Sequence, residues 1–115
     1  MIKLLIVGNL TRDPETGTTP SGVNWCRFTL AARKRWHKEG EQDSVFVRVT
    51  AWRALGDNCA KYLKKGRKAA ALGEAEVDAY TGNDGRAYAS LEMTADEVEF
   101  LSPRGSGEDA PPEGE

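Results

Sequence analysis

The sequence predicts an all-β fold of five strands, with a single helix between the third and the fourth. Three observations lead there. Val45 to Trp52 reads Val-Phe-Val-Arg-Val-Thr-Ala-Trp and alternates with period two, the mark of a half-buried strand. Only Leu55 to Lys65 repeats apolar residues at helical spacing, through Leu55, Cys59, Tyr62 and Leu63. The other apolar runs are short and are separated by clusters of glycine, proline and polar residues. A chain of 115 residues supports one domain around one core.

The first strand spans residues 2 to 10. Ile2, Leu4 and Ile6 lie on one face, Leu5 and Val7 on the other. A strand apolar on both faces is buried on both, and a small barrel has only one inside. A second copy of the protein is the favoured cover, with a covering loop as the other reading. The run is too short to span a membrane, and no cleavage site for a secretory signal follows it. Residues 11 to 22 carry two prolines, two glycines and five hydroxyl residues and read as a loop. Val23 to Trp36 reads as the second strand, with Cys26, Phe28, Leu30 and Ala32 inward. Trp25, Arg27, Thr29, Ala31, Arg33 and Arg35 take the other face. The end of this strand, Arg33 to Lys38, is a basic patch that contains Trp36. A charge run is usually a solvated tip, but an exposed indole inside one has no structural benefit. Glu39 to Asp43 is a polar turn joining this strand to Val45–Trp52 in a long hairpin.

On that third strand Val45, Val47, Val49 and Ala51 make a core face. Phe46, Arg48, Thr50 and Trp52 make the other. An aromatic–cation–aromatic row on the outside of a sheet can stack bases and hold phosphates; equally, Phe46 and Trp52 can cover a neighbouring element. Gly66, after Lys64 and Lys65, reads as the cap of the helix. Arg67 to Ala79 is a fourth strand, rich in alanine. Tyr80 to Arg86 is a turn with Asp-Gly, and Tyr88 to Leu101 is the fifth strand. Its alternation slips near Asp96, where a bulge is expected. Residues 102 to 115 hold no apolar residue larger than Ala110 and read as a disordered acidic tail beside a domain of residues 1 to 101.

Charge and cysteine content narrow the function. The tail holds Arg104 against Glu108, Asp109, Glu113 and Glu115. Of the 16 basic and 18 acidic residues this leaves 15 and 14 in the body, so any polyanion site arises from local clustering. Cys26 and Cys59 fit neither a disulfide framework nor a metal motif. With one histidine, no metal or other cofactor is expected. Free thiols suit a cytoplasmic protein.

Three strands, a helix and two strands suit the OB-fold, a partly open Greek-key barrel that binds oligonucleotides or oligosaccharides. The aromatic and basic outer residues favour nucleic acid. The sequence also resembles the bacterial single-stranded DNA-binding protein family. The matching stretches are Lys3 to Leu10, Arg12-Asp13-Pro14-Glu15, Thr19 to Gly22, Phe28 to Ala31, Val45 to Trp52, Tyr62 to Gly66 and, weakly, Glu99 to Leu101. The resemblance covers residues 1 to 101. It implies a homotetramer that wraps single-stranded DNA without strong sequence preference, in the cytoplasm at the nucleoid, during replication, recombination and repair. It places Trp36, Phe46 and Trp52 where that family stacks bases and Tyr80 at another aromatic position. Lys3, Arg48 and Lys65 match basic positions along the DNA. Arg33 and Arg35 join them from the local patch. Trp25 shares the outward face or packs on a neighbour.

Two departures stand out. Glu74, Glu76 and Asp78 replace the basic residues the family carries there, and they share a face with Tyr80. The resemblance also implies an acidic tail closed by an apolar tip that docks partner proteins. This sequence ends Pro-Pro-Glu-Gly-Glu, so docking through a tip is not expected, and a specialised mobile-element paralogue with an altered DNA path is one alternative. An RNA-binding or protein-interaction module is another. An enzyme is a third, through a nucleophile–base pair of Cys26 and His37; the core-facing position of Cys26 argues against it, and no catalysis is expected.

Overall fold

The computed structural model describes residues 1–36, 38–40 and 44–101. The 102–115 tail, His37 and part of the expected turn lie outside the described residues. The strands are β1 (Lys3–Leu10), β2 (Glu15–Thr18), β3 (Asn24–Arg33), β4 (Ser44–Trp52), β5 (Lys68–Thr81) and β6 (Ala87–Phe100). The helix α1 (Arg53–Tyr62) lies between β4 and β5. The sheet runs β1-β5-β6-β4-β3-β2, and a short ladder, Asn9 with Ala31 and Leu10 with Leu30, joins β1 back to β3. Five strands thus close on themselves with a helix after the third of them, which is the expected OB-fold. β4 and β6 pair in parallel; the other ladders are antiparallel.

The period-two patterns hold. Val47, Val49 and Ala51 are buried, as are Cys26, Phe28 and Leu30 on β3. With Ile6, Leu10 and Met93 they form one core. The alanines that weaken β5 as a strand have a purpose in packing. Ala69 and Ala71 are fully buried, and small side chains there leave room for the larger ones of the facing strands. Gly8 lies against the Ala31 carbonyl with no space for a Cβ, so its lack of a side chain lets β1 close onto β3. Leu63 and Cys59 of the helix region plug the end of the barrel.

Several boundaries differ from expectation. Residues 11 to 22 are not all loop: β2 pairs with β3 from Glu15–Arg27 to Thr18–Asn24. Its threonines suit a strand, and the neighbouring β3 edge supplies partners that local composition does not reveal. The second strand ends at Arg33, the first residue of the basic patch, and not at Trp36. The helix starts at Arg53 and stops at Tyr62, where the Leu63 N–H bonds the Cys59 carbonyl. Gly66 therefore does not cap it. At φ 87° it instead turns the chain into β5, with its N–H on the Leu10 carbonyl. The fourth strand extends through Tyr80 to Thr81, so Tyr80 is not in the turn. The expected bulge is present. Leu72 pairs with Glu97 but Gly73 with Ala95, leaving Asp96 as the extra residue. Leu5 and Val7 stay exposed at 65% and 44%, and no element among the described residues covers them.

Candidate nucleic-acid interface

The outward face of β4 carries Phe46, Arg48, Thr50 and Trp52, and its neighbours extend it. Antiparallel register sets Trp25 opposite Trp52, Arg27 opposite Thr50 and Thr29 opposite Arg48 on β3. On the other side β6 places Glu92 beside Arg48 and Thr94 beside Thr50. β5 then sets Glu76 beside Glu92 and Tyr80 beside Tyr88. Phe46 and Trp52 are 47% and 39% exposed, so neither is a core residue. Phe46 borders a depression of about 190 Å³ shared with Thr29, Arg48, Ala89 and Ser90. The Arg48 guanidinium is 3.9 Å from the Glu92 carboxylate; both side chains are about half-exposed, so this pair is weak.

The other expected site residues are spread around this face. Trp36 lies beyond the end of β3 and is 80% exposed, with the Arg35 guanidinium 5.7 Å from its ring centroid. Such a cation–π contact orients an indole that little else holds. Arg33 closes β3 opposite Ser44. Tyr80 projects from the β5–β6 hairpin and stacks on Tyr88 at 5.6 Å. The Tyr88 hydroxyl donates to Asp84, raising the tyrosine's pKa and lowering that of the carboxyl. Lys3 lies on β1, which pairs with β5 of this hairpin, beside Glu74 in register, with its ammonium on Asp96. Lys65 sits in the turn after the helix, where its backbone N–H bonds the Asp13 carboxylate at 2.9 Å. The structure thus groups Phe46, Arg48, Trp52 and Tyr80 on one continuous face. Trp36, Arg33 and Arg35 stand at one end of it, Lys3 continues it onto β1 beside Glu74, and Lys65 lies apart in the turn after the helix.

Trp25 packs within its own chain. Its ring covers Gly17 of β2, where a Cβ would not fit, and the Arg27 guanidinium lies 4.9 Å from the ring centroid. The carboxylates Glu74, Glu76 and Asp78 fall on the same outward face as Tyr80, joined there by Glu92. Two arginines that sequence reasoning did not select, Arg12 and Arg27, border the depression beside Arg48. The outward parity of Arg27 was a signal for it; Arg12 stood out only as part of the matching stretch Arg12 to Glu15, with no role attached. The Cys26 and Cys59 thiols are buried, and desolvation pushes their pKa values up to about 11 and about 12. No group of metal-ligating side chains occurs among the described residues. No helix among them is long and apolar enough to cross a membrane.

Comparison with known proteins adds the decisive observation: a model of the single-strand binding protein family matches residues 1–101. The chain belongs to that family. Similar members include a single-stranded DNA-binding protein of Halalkalibacterium halodurans, 41% identical over 105 residues, covering 90% of this chain and 62% of the relative. One from Bacillus cereus is 38% identical over 108 residues, covering 93% and 64%. The chain therefore spans a little under two thirds of the length of these relatives. Among solved structures, a small single-stranded DNA-binding protein from Streptomyces coelicolor superposes with a TM-score of 0.71 at 24% identity, over 86% of this chain and 93% of that one. This last likeness concerns the fold.

Proposed function

We propose that this chain binds single-stranded DNA with little sequence preference, as a non-enzymatic protector of exposed strands in replication, recombination and repair. The observation that carries this reading is the row on β4: two part-exposed aromatics, Phe46 and Trp52, flanking Arg48 on an open face. Aromatic faces accept any base, and a guanidinium between them neutralises the backbone. Trp36 and Tyr80 extend the stacking surface, and Arg33, Arg35, Lys3 and Lys65 supply further charge. The names of the relatives agree. The apolar outer face of β1, Leu5 and Val7 with Ala70 and Leu72 beside them in register, supports assembly through a second copy and from there a homotetramer. A cytoplasmic, nucleoid-associated location follows from this function.

Quenching of tryptophan fluorescence by poly(dT), by poly(rU) and by duplex DNA tests the reading. Saturable quenching by poly(dT) alone is the expected result. Equal or stronger binding of poly(rU) would make the chain an RNA binder, and no binding of any of the three would leave a protein-interaction module. The enzyme alternative loses its nucleophile, because a thiol held up at about 11 in a buried position is not a thiolate at neutral pH.

A further inference from the structure

The outer face is electrically polarised across its strands. Glu74, Glu76, Asp78 and Glu92 lie on β5 and β6, and Arg27 and Arg48 on β3 and β4. Register makes the boundary sharp: Glu76 neighbours Glu92, and Glu92 neighbours Arg48. For a polyanion lying on Phe46 and Trp52, these carboxylates disfavour phosphates on the β5–β6 side, where Tyr80 offers stacking, and the arginines draw phosphates to the β3 side. There a depression of about 260 Å³ is lined by Arg12, Arg27, Thr29 and Arg48, with Asp13 and Glu15 also on its wall.

We propose that this depression is a phosphodiester-binding cradle, in which Arg12 and Arg27 join Arg48 to hold the nucleic-acid backbone as it leaves the aromatic face toward β2. The proposal rests on the single-strand-binding reading above and assigns a path within it. The segment that carries Arg12 is held on both sides. The Thr11 N–H bonds the Thr29 carbonyl at 3.1 Å, and Asp13 accepts from the Lys65 N–H at 2.9 Å. Arg12 is exposed, and among the described residues no carboxylate pairs with it. Arg27 is braced by the Trp25 ring and by its Nε donating to the Thr50 hydroxyl at 3.4 Å. The Arg27 guanidinium is therefore held in place, with Glu15 opposite it in register but no ion pair closed between them, and the anchored backbone on either side of Arg12 fixes where that exposed side chain starts. Of the two opposing carboxylates, Asp13 is engaged by a backbone N–H, and Glu15 remains on the rim.

The test is the salt dependence of binding by the full chain to a dT oligomer, read by tryptophan quenching, with circular dichroism confirming the fold of each variant. Arg12→Gln and Arg27→Gln should each weaken binding and lower the magnitude of the log K against log salt slope by about 0.7, the value for one lost contact on a single strand. Arg27→Lys should keep the slope, and Glu15→Gln should tighten binding. Arg12 has no packing role, so its variant decides the matter even if Arg27→Gln is destabilised. Unchanged slope and affinity in Arg12→Gln, while the unaltered protein binds, would overturn the cradle and leave the single-strand-binding reading standing. Absence of dT binding by the unaltered protein would overturn both.

Discussion

The Lys3 ammonium lies 2.5 Å from the carboxylate of Asp96, the one residue of β6 left without a partner on β5. A bulge in one strand thus re-aims a carboxylate onto a lysine of another. The hydrogen bond that Lys3 donates to Asp96 is the largest cause of the raised pKa of Lys3, followed by opposing desolvation and by the charges of Asp96 and Glu74. The pair's small contribution to stability is complete below the ordinary lysine pKa and disappears as pH rises through the raised one. It also occupies a cation that the family resemblance places along the DNA.

Replacing Asp96 by Asn should free that cation. The Lys3 pKa should fall toward 10.5, visible in a pH titration of its side chain by NMR. Binding to poly(dT) should tighten, with the salt slope steeper by about 0.7. An unchanged affinity together with a lowered pKa would place Lys3 off the nucleic-acid path.

How much of this was legible beforehand depended on the range of the interactions involved. The faces of β3 and β4 were legible because period-two alternation is written in consecutive residues. The bulge was legible because Val98 and Phe100 resume the pattern out of step with Ala89, Leu91 and Met93. β2 was not, because its four residues become a strand only by pairing with β3. The role of Gly66 was misplaced because Leu10, which fixes that turn, lies far away in sequence. Arg12 carried no role in the sequence for the same reason: its neighbours Arg27 and Arg48 come from distant strands.

Alkaline pH should weaken the fold through its thiols. Cys26 and Cys59 are protonated in the folded state up to about 11 and about 12, because burial penalises the thiolate; the charges of Asp57 on Cys26, and of Cys26 on Cys59, add to this. In the unfolded chain they ionise near 9.0. The folded state therefore binds more protons than the unfolded one between those values, and stability should fall with rising pH across that window. Urea denaturation at a series of pH values checks this. A Cys26→Ala, Cys59→Ala variant should show a flatter decline, and the same decline as the parent would assign the effect to other groups.

The assembly expectation turns on the exposed face of β1. Leu5→Glu puts a charge where a second copy is proposed to sit, and burying an unpaired charge costs on the order of several kcal/mol. In an isolated subunit the same side chain faces solvent, at 65% exposure, so the variant should fold. Sedimentation equilibrium should show a tetramer for the parent and smaller species for Leu5→Glu. A parent that is monomeric at micromolar concentration removes the interface, and a tetrameric Leu5→Glu moves it to another face.

Trp52 gives the most discriminating test of the stacking face. It is the last residue of β4 and immediately precedes the helix, with extended backbone at φ −107° and ψ 149°. Its side chain makes no capping hydrogen bond, so Trp52→Ala removes no cap. With 39% of its surface exposed and the core face of β4 filled by Val47, Val49 and Ala51, it also leaves no closed cavity. The change should therefore lower the melting temperature little, well short of the roughly 3–5 kcal/mol lost when a core tryptophan is truncated. Binding should suffer instead, by about 1–3 kcal/mol for one lost base stack. The loss should be similar for dT and dC oligomers, since both bases offer a π-face. The salt slope should stay the same, because no phosphate contact is removed. Thermal melting and tryptophan-quenching titrations on the same preparation read both quantities. A large fall in melting temperature with unchanged affinity would make Trp52 a packing residue and reduce the stacking row on β4 to Phe46 alone.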